Sequence, residues 1–173
     1  MPVRLSRAAL GQLEPSVGIP GYRRDDLSPG IVHIGVGNFH RAHQAAYVDR
    51  LLNAGLADGW GICGVGVLPA DRKMADVMAA QDGLYTLLLE HPDGTREARV
   101  IGSIADYRYA PADPEGVIEL LAAPSTRIIS LTITEGGYQL DDLPEINVFG
   151  LVTAALERRR ERGVASPTIV SCD

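Results

Sequence analysis

The chain is almost without lysine: Lys73 is the single one, and the other side-chain cations besides histidine are arginines. Any mechanism that needs a lysine therefore has one candidate here. Cysteine is nearly as scarce, with Cys63 and Cys172 alone, each in an apolar strand-like run. Two isolated thiols make neither a zinc spacing nor a disulfide framework, which points to reduced core cysteines in a cytoplasmic protein and to no metal site. No apolar run approaches the roughly 20 residues of a membrane span. The arginine-bearing start, Met1 to Arg24, lacks the apolar core of a signal peptide. Positive charge is also in deficit: the net charge is -6, which argues against a nucleic-acid surface. The one basic cluster, Arg158-Arg159-Arg160 with Arg162, falls near the end of an expected helix, where cations suit the dipole.

What is present is apolar and periodic. The apolar fraction of 46% is enough for a packed core, and the length of 173 residues is one domain's worth. The stretch Ile31 to Leu52 opens with an apolar run interrupted only by His33, turns on Gly35 and Gly37, and continues as an amphipathic segment. Ala42, Ala45, Ala46, Val48, Leu51 and Leu52 are expected on its inward face. A buried strand, a glycine turn and a helix in that order form the first unit of a dinucleotide-binding fold. Gly35 permits the tight turn, and Gly37 lets backbone approach a pyrophosphate with no Cβ in the way. Asn38, Phe39, His40 and Arg41 then open the helix beside the phosphates. Phe39 is expected beside the cofactor or as a core residue at the helix start, and Arg41 as a bidentate phosphate partner. His40 stands where the fingerprint would have a third glycine, closing over the cofactor or meeting a further domain. A merely solvated first turn for His40, Arg41 and His43 is the alternative.

Residues 1–30, broken by Pro15, Pro20 and Pro29, read as an arm that packs on the domain formed by residues 31–173. Trp60 to Leu68 is a strand whose glycines suggest close packing against neighbouring backbone, and Asp71 to Ala80 has helical spacing. Leu84 to Glu90 and Arg99 to Gly102 flank the turn at Asp93-Gly94, a hairpin signal. A helix follows Asp113-Pro114, Arg127 to Thr134 is a buried strand, Phe149 to Arg162 a helix ended by Gly163, and Thr168 to Val170 a strand. This alternation predicts an α/β fold, a doubly wound and mostly parallel sheet with a β-hairpin embellishment.

Ligands in such sheets bind at the carboxyl ends of the strands. Asp71 follows the second strand, where an acid accepts bonds from the adenosine ribose and repels a 2′-phosphate, favouring NAD over NADP; an acid at a helix start beside Arg72 is the plainer alternative. Glu135 directly follows a buried strand, so a partly desolvated carboxylate suited to proton transfer is expected, against a loop carboxylate satisfied by the Gly136 and Gly137 amides. Gly136, Gly137 and Tyr138 are expected to shape the nicotinamide side of the cleft, with Thr134 at the same strand end also a cofactor contact, and Asp173 to meet the nicotinamide or its ribose. The last strand would deliver residues to this cleft just where the chain stops, so a longer parent protein is expected.

The segments I-G-V-G-N-F-H-R-A-H-Q, W-G-I-C-G-V-G, Q-D-G-L-Y-T-L, L-T-I-T-E-G-G-Y and V-S-C-D occur in the order found in the mannitol dehydrogenase family, the polyol-specific long-chain dehydrogenases. The resemblance runs from about Ile31 to Asp173 and covers that family's N-terminal, Rossmann-type domain. It implies hydride transfer between a nicotinamide cofactor and a sugar alcohol or ketose, with Glu135 in a proton relay. It also implies a mainly helical C-terminal substrate domain past Asp173 that carries the acid/base lysine, a role Lys73 does not match. On its own this chain is then expected to hold the cofactor weakly and to be inactive. A non-catalytic nucleotide-binding or interaction module on the same fold is the alternative.

Overall fold

The computed structural model describes residues 4–133, 135–138 and 144–173, the side chains of 135 and 136 apart. Five strands form one parallel sheet: β1 (Ser28–Ile34), β2 (Trp60–Gly66), β5 (Ile104–Tyr109), β6 (Ile128–Leu131) and β7 (Thr168–Ser171), in the spatial order β5-β2-β1-β6-β7. The order reverses beside β1, as in a doubly wound nucleotide-binding sheet. β3 (Tyr85–Glu90) and β4 (Arg96–Ile101) pair antiparallel as a separate hairpin, the embellishment that Asp93-Gly94 signals.

Alternation along β1 sorts the core into two faces. Val32 and Ile34 join Cys63, Val65, Ile129 and Leu131 beneath α4 (Pro114–Ala122) and α5 (Val148–Glu161). Ile31 turns the other way, to Ile62, Ile104 and Met78, beneath α2 (Gln44–Asn53) and α3 (Arg72–Ala80). The predicted helix starts hold. Asp113 caps α4 by accepting from Gly116 N at 2.9 Å with Pro114 at its first position, and Gly163 ends α5 in the left-handed region.

Several expectations change. β1 begins at Ser28, three residues before the apolar run. The helix after the glycine turn is two helices, α1 (Asn38–Ala42) and α2, broken at His43 with φ -115 and ψ -86. The break rotates the stripe, so Ala45, Ala46 and Leu52 are buried whereas Ala42 and Leu51 are exposed. β5 was not predicted. Its I-A-D-Y-R-Y pattern buries Ile104 alone and pairs Asp106 with Arg108 on the solvent side, as suits the outer strand of a sheet. Of the β2 glycines, Gly61 packs against backbone at the Ser28 carbonyl as expected, whereas Gly64 is packed by the Val36 and Tyr107 side chains. Cys172 is half-buried instead of in the core, while Cys63 is fully buried and its thiol is pushed up to about 12 by desolvation. All four residues of β7 are exposed.

The arm lies on this scaffold through specific bonds. Arg24 donates to the carbonyls of Asp82, Gly102 and Ile104, and Tyr22 donates to the buried Asp49, which also accepts from Gly102 N at 2.8 Å. Among the described residues no helix is long and apolar enough to cross a membrane.

The basic cluster sits at the end of α5 as expected, with Arg160 and Arg162 exposed, but one of its members is committed to the core. Arg159 is buried and donates to the carbonyls of Leu121, Ala123, Thr126 and Ala165, closing the ends of both α4 and α5. Arg158 and Arg162 both hold Glu119. Replacing Arg159 with Met keeps the aliphatic stem and leaves those carbonyls without their donor. The expected loss is about 3 kcal/mol in urea unfolding, against about 0.5 kcal/mol or less for the exposed Arg160→Met.

Candidate functional site

The carboxyl ends of β1 and β6 lie side by side at the point where strand order reverses. The register pairs Ile34 with Leu131, so Gly35 and Thr132 leave the sheet together. Gly35 has φ +96, and a Cβ on it would fall inside contact with the Thr132 carbonyl oxygen. Only glycine fits there. Gly37 differs: it is exposed, its φ is -92, and a Cβ on it would meet nothing within 4 Å. The turn therefore presents an open concavity over Gly37, bordered by the first N–H groups of α1, which have no acceptor within the helix. With only five residues before the break at His43, α1 adds little macrodipole. The backbone N–H groups carry the anion-binding capacity.

The side chains of the F-H-R-A-H segment are placed unequally. Phe39 is exposed, with its ring 4.7 Å from that of His43. Arg41 turns back onto its own turn, donating to Gly37 O at 3.3 Å and to Asn38 Oδ1, with its guanidinium 5.9 Å from the Tyr85 ring centre. Tyr85 in turn donates to the Arg41 carbonyl. His40 is 1% exposed and stacks on His33 with ring centres 3.6 Å apart and 11° between planes. Neither His40 nitrogen has a hydrogen-bond partner. The Gln44 amide raises its pKa slightly but does not reach bonding geometry, and burial with the neighbouring His33 holds it down to about 3. His33, fully buried, is held down to about 4 by desolvation, with Gly35 O and Asp173 opposing.

A cavity of about 420 Å3 opens beside these rings, lined among others by Phe39, His40, Tyr47, Leu51, Thr132 and Cys172. A larger one of about 650 Å3 includes Leu27, Pro29 and Ala105, at the amino ends of β1 and β5. That is the wrong end of a parallel sheet for a ligand.

Asp71, four residues past Val67 in sequence, is folded back to the tip of β2. Its Cβ lies against Gly66, and its Oδ2 accepts from Val67 N and Leu68 N at 2.9 Å each. Tyr138 closes the other side, donating to Asp173 Oδ2 at 2.7 Å beside Ser171. Glu135 and Gly136 lie on the short turn Glu135–Tyr138 that follows β6, but the Glu135 side chain and the whole of Thr134 fall outside the described residues. Lys73 lies on α3, exposed and away from the turn. Among the described residues no cluster of His, Cys, Asp or Glu could hold a metal ion.

Thr132, Ser130, Gln44 and Tyr85 were not singled out from sequence. The signal for two of them was present: His33 interrupts an apolar run, and Ser130 and Thr132 alternate with apolar residues on the neighbouring strand, facing it.

The model of the mannitol dehydrogenase Rossmann domain matches residues 29–173. Mannitol 2-dehydrogenase of Pyricularia oryzae is 44% identical over 94% of this chain and 36% of its own length. A polyol:NADP oxidoreductase of Gluconobacter oxydans is 43% identical over 98% of this chain and 39% of its own. Among solved structures, Pseudomonas fluorescens mannitol 2-dehydrogenase, in a ternary complex with NAD and D-mannitol, superposes with a TM-score of 0.93 at 45% identity, over 99% of this chain and 39% of that one. The chain thus spans a little over a third of the length of these relatives.

Proposed function

The chain belongs to the mannitol dehydrogenase family, and from that premise we propose that it is the NAD-binding part of an enzyme that oxidises a sugar alcohol and reduces the matching ketose. The observation that carries this reading is the open turn at Gly37, set at the strand-order reversal between β1 and β6. Its empty Cβ position fits a group that must come close to backbone, as a pyrophosphate does.

When bound, a nicotinamide would supply the hydride acceptor for oxidation of a carbinol carbon, with the hydroxyl proton passing to a base. In this proposal the residues of the chain divide the remaining work. Gly37 lets the pyrophosphate come close to backbone, Asn38 and Phe39 present their N–H groups to it, and His40 fills the space beneath it. Asp71, with Oδ2 fixed by two amides, accepts an adenosine ribose hydroxyl through its other oxygen and repels a 2′-phosphate. Thr134, Gly136 and Asp173 border the nicotinamide end, and Glu135 passes the proton between the reacting hydroxyl and solvent. The acid/base lysine and the substrate pocket belong to a further, helical domain, the partner through which a polyol would reach the cofactor.

Fluorescence titration with NADH and NADPH tests this directly. Weak but saturable NADH binding is expected, with NADPH weaker by about tenfold or more because a phosphate would meet Asp71. The chain alone should not oxidise mannitol. Absence of any NADH binding would overturn the reading, and tighter NADPH binding would overturn the part assigned to Asp71.

A further inference from the structure

Three donors converge on one oxygen beneath the glycine turn. The Gly35 carbonyl oxygen lies 2.8 Å from Gly37 N, 2.6 Å from Thr132 Oγ1 and 3.1 Å from His33 Nε2. His33 Nε2 is also 2.9 Å from Thr132 Oγ1, and its Nδ1 is 2.8 Å from Ser130 Oγ, which lies 3.1 Å from Gln44 Oε1. The histidine is fully buried in the middle of the sheet, where a polar side chain costs free energy unless its nitrogens are bonded. Its chain neighbours Val32 and Ile34 pack the opposite face, so the polar group is a requirement of this face alone.

We propose that His33 is a positioning residue for the dinucleotide: through Nε2 it clamps the Gly35 peptide and Thr132, and so sets the direction in which the Gly37–Asn38 backbone meets a pyrophosphate. This deepens the dinucleotide reading of the turn and rests on it.

The bonding fixes which nitrogen carries the proton. Thr132 has one hydroxyl hydrogen, and the Gly35 carbonyl takes it. A bare Nε2 would then face lone pairs on both oxygens, so Nε2 bears the hydrogen and Nδ1 accepts from Ser130. Ser130 then has no hydrogen left for Gln44 Oε1, so this tautomer requires the Gln44 amide to be turned, with its NH2 facing Ser130 Oγ and donating to it. Burial keeps the ring neutral at ordinary pH, and His40, stacked on it, fixes the ring plane.

Three substitutions separate clamping from simple core filling. Gln places a donor where Nε2 sits, Asn places one where Nδ1 sits, and Leu fills the volume without either. His33→Gln should keep NADH affinity within about threefold, while His33→Asn and His33→Leu should lose about tenfold or more, roughly one charge-assisted bond's worth. A core-filling role predicts instead that affinity follows thermal stability, with Leu the mildest change. A second measurement needs no ligand. In 15N NMR of the free chain, His33 should show the Nε2–H tautomer, and the Gly35 and Gly37 amide resonances should move in His33→Leu and return in His33→Gln. Thr132→Val, which removes the other donor to the same carbonyl, should move the same amides even if His33→Leu folds poorly. An Nδ1–H tautomer, unmoved glycine amides, or equal NADH affinity in His33→Leu would overturn the assignment. If the wild-type chain binds no NADH at all, the dinucleotide reading fails, and the amide shifts still decide whether His33 holds the turn.

Discussion

Acidification from about pH 6.5 to about pH 4.5 is expected to remove about 5 kcal/mol of folding stability, a large share of the roughly 5–15 kcal/mol typical of a domain. The source is the stacked pair His33 and His40, whose pKa values are lowered from 6.5 to about 4 and about 3. In the unfolded chain both rings take protons near 6.5, whereas in the folded chain they remain neutral until well below that. The unfolded state thus binds more protons throughout this window, and stability falls as pH falls. Two protons taken up on unfolding correspond to a slope of about 2.7 kcal/mol per pH unit. Two stacked rings 3.6 Å apart cannot both be charged cheaply, and Arg41 adds to the cost at His40. Asp49 works in the opposite direction: burial raises its pKa, so it takes up a proton more readily folded and softens the loss. Urea unfolding at a series of pH values measures the slope. In His40→Leu one of the two protons disappears and about half the slope should go with it, while stability near neutral pH holds or rises because two unpaired buried nitrogens are removed. An unchanged slope in that variant would sink the explanation.

Gly35→Ala and Gly37→Ala are expected to fail in different ways. At Gly35 the added methyl carries a left-handed φ and meets the Thr132 carbonyl, backbone just past β6 that is tied to β1 by the bond from Thr132 N to Ile34 O. Strain and overpacking together should cost about 4 kcal/mol, enough to leave the chain partly unfolded. At Gly37 the methyl enters open space at an ordinary φ, so stability should be unchanged or rise by about 0.5 kcal/mol. The same methyl would stand where a pyrophosphate must approach, so NADH affinity should fall by about tenfold or more. Thermal unfolding and NADH titration on the two variants give the comparison. A stable Gly35→Ala would contradict the packing at the turn, and a Gly37→Ala with undiminished affinity would contradict the site.

Much of this was legible in the sequence, because the physics involved is local. The near-continuous apolar run from Ile31 to Val36 reads as a strand buried on both faces, Asp113-Pro114 starts a helix, and Asp93-Gly94 turns a hairpin. The two glycines after an apolar run mark a turn that admits close approach, and the ordered motifs around them identify the family. Only the tertiary structure separated Gly35, required by the fold, from Gly37, open to a ligand, since the difference lies in Thr132, just past β6 and nearly a hundred residues away. It alone buried Arg159 among four carbonyls and joined His33 to Ser130 and Thr132. In each case the partner is supplied by a non-adjacent element, and a hydrogen bond or a clash at that range has no period for the sequence to display.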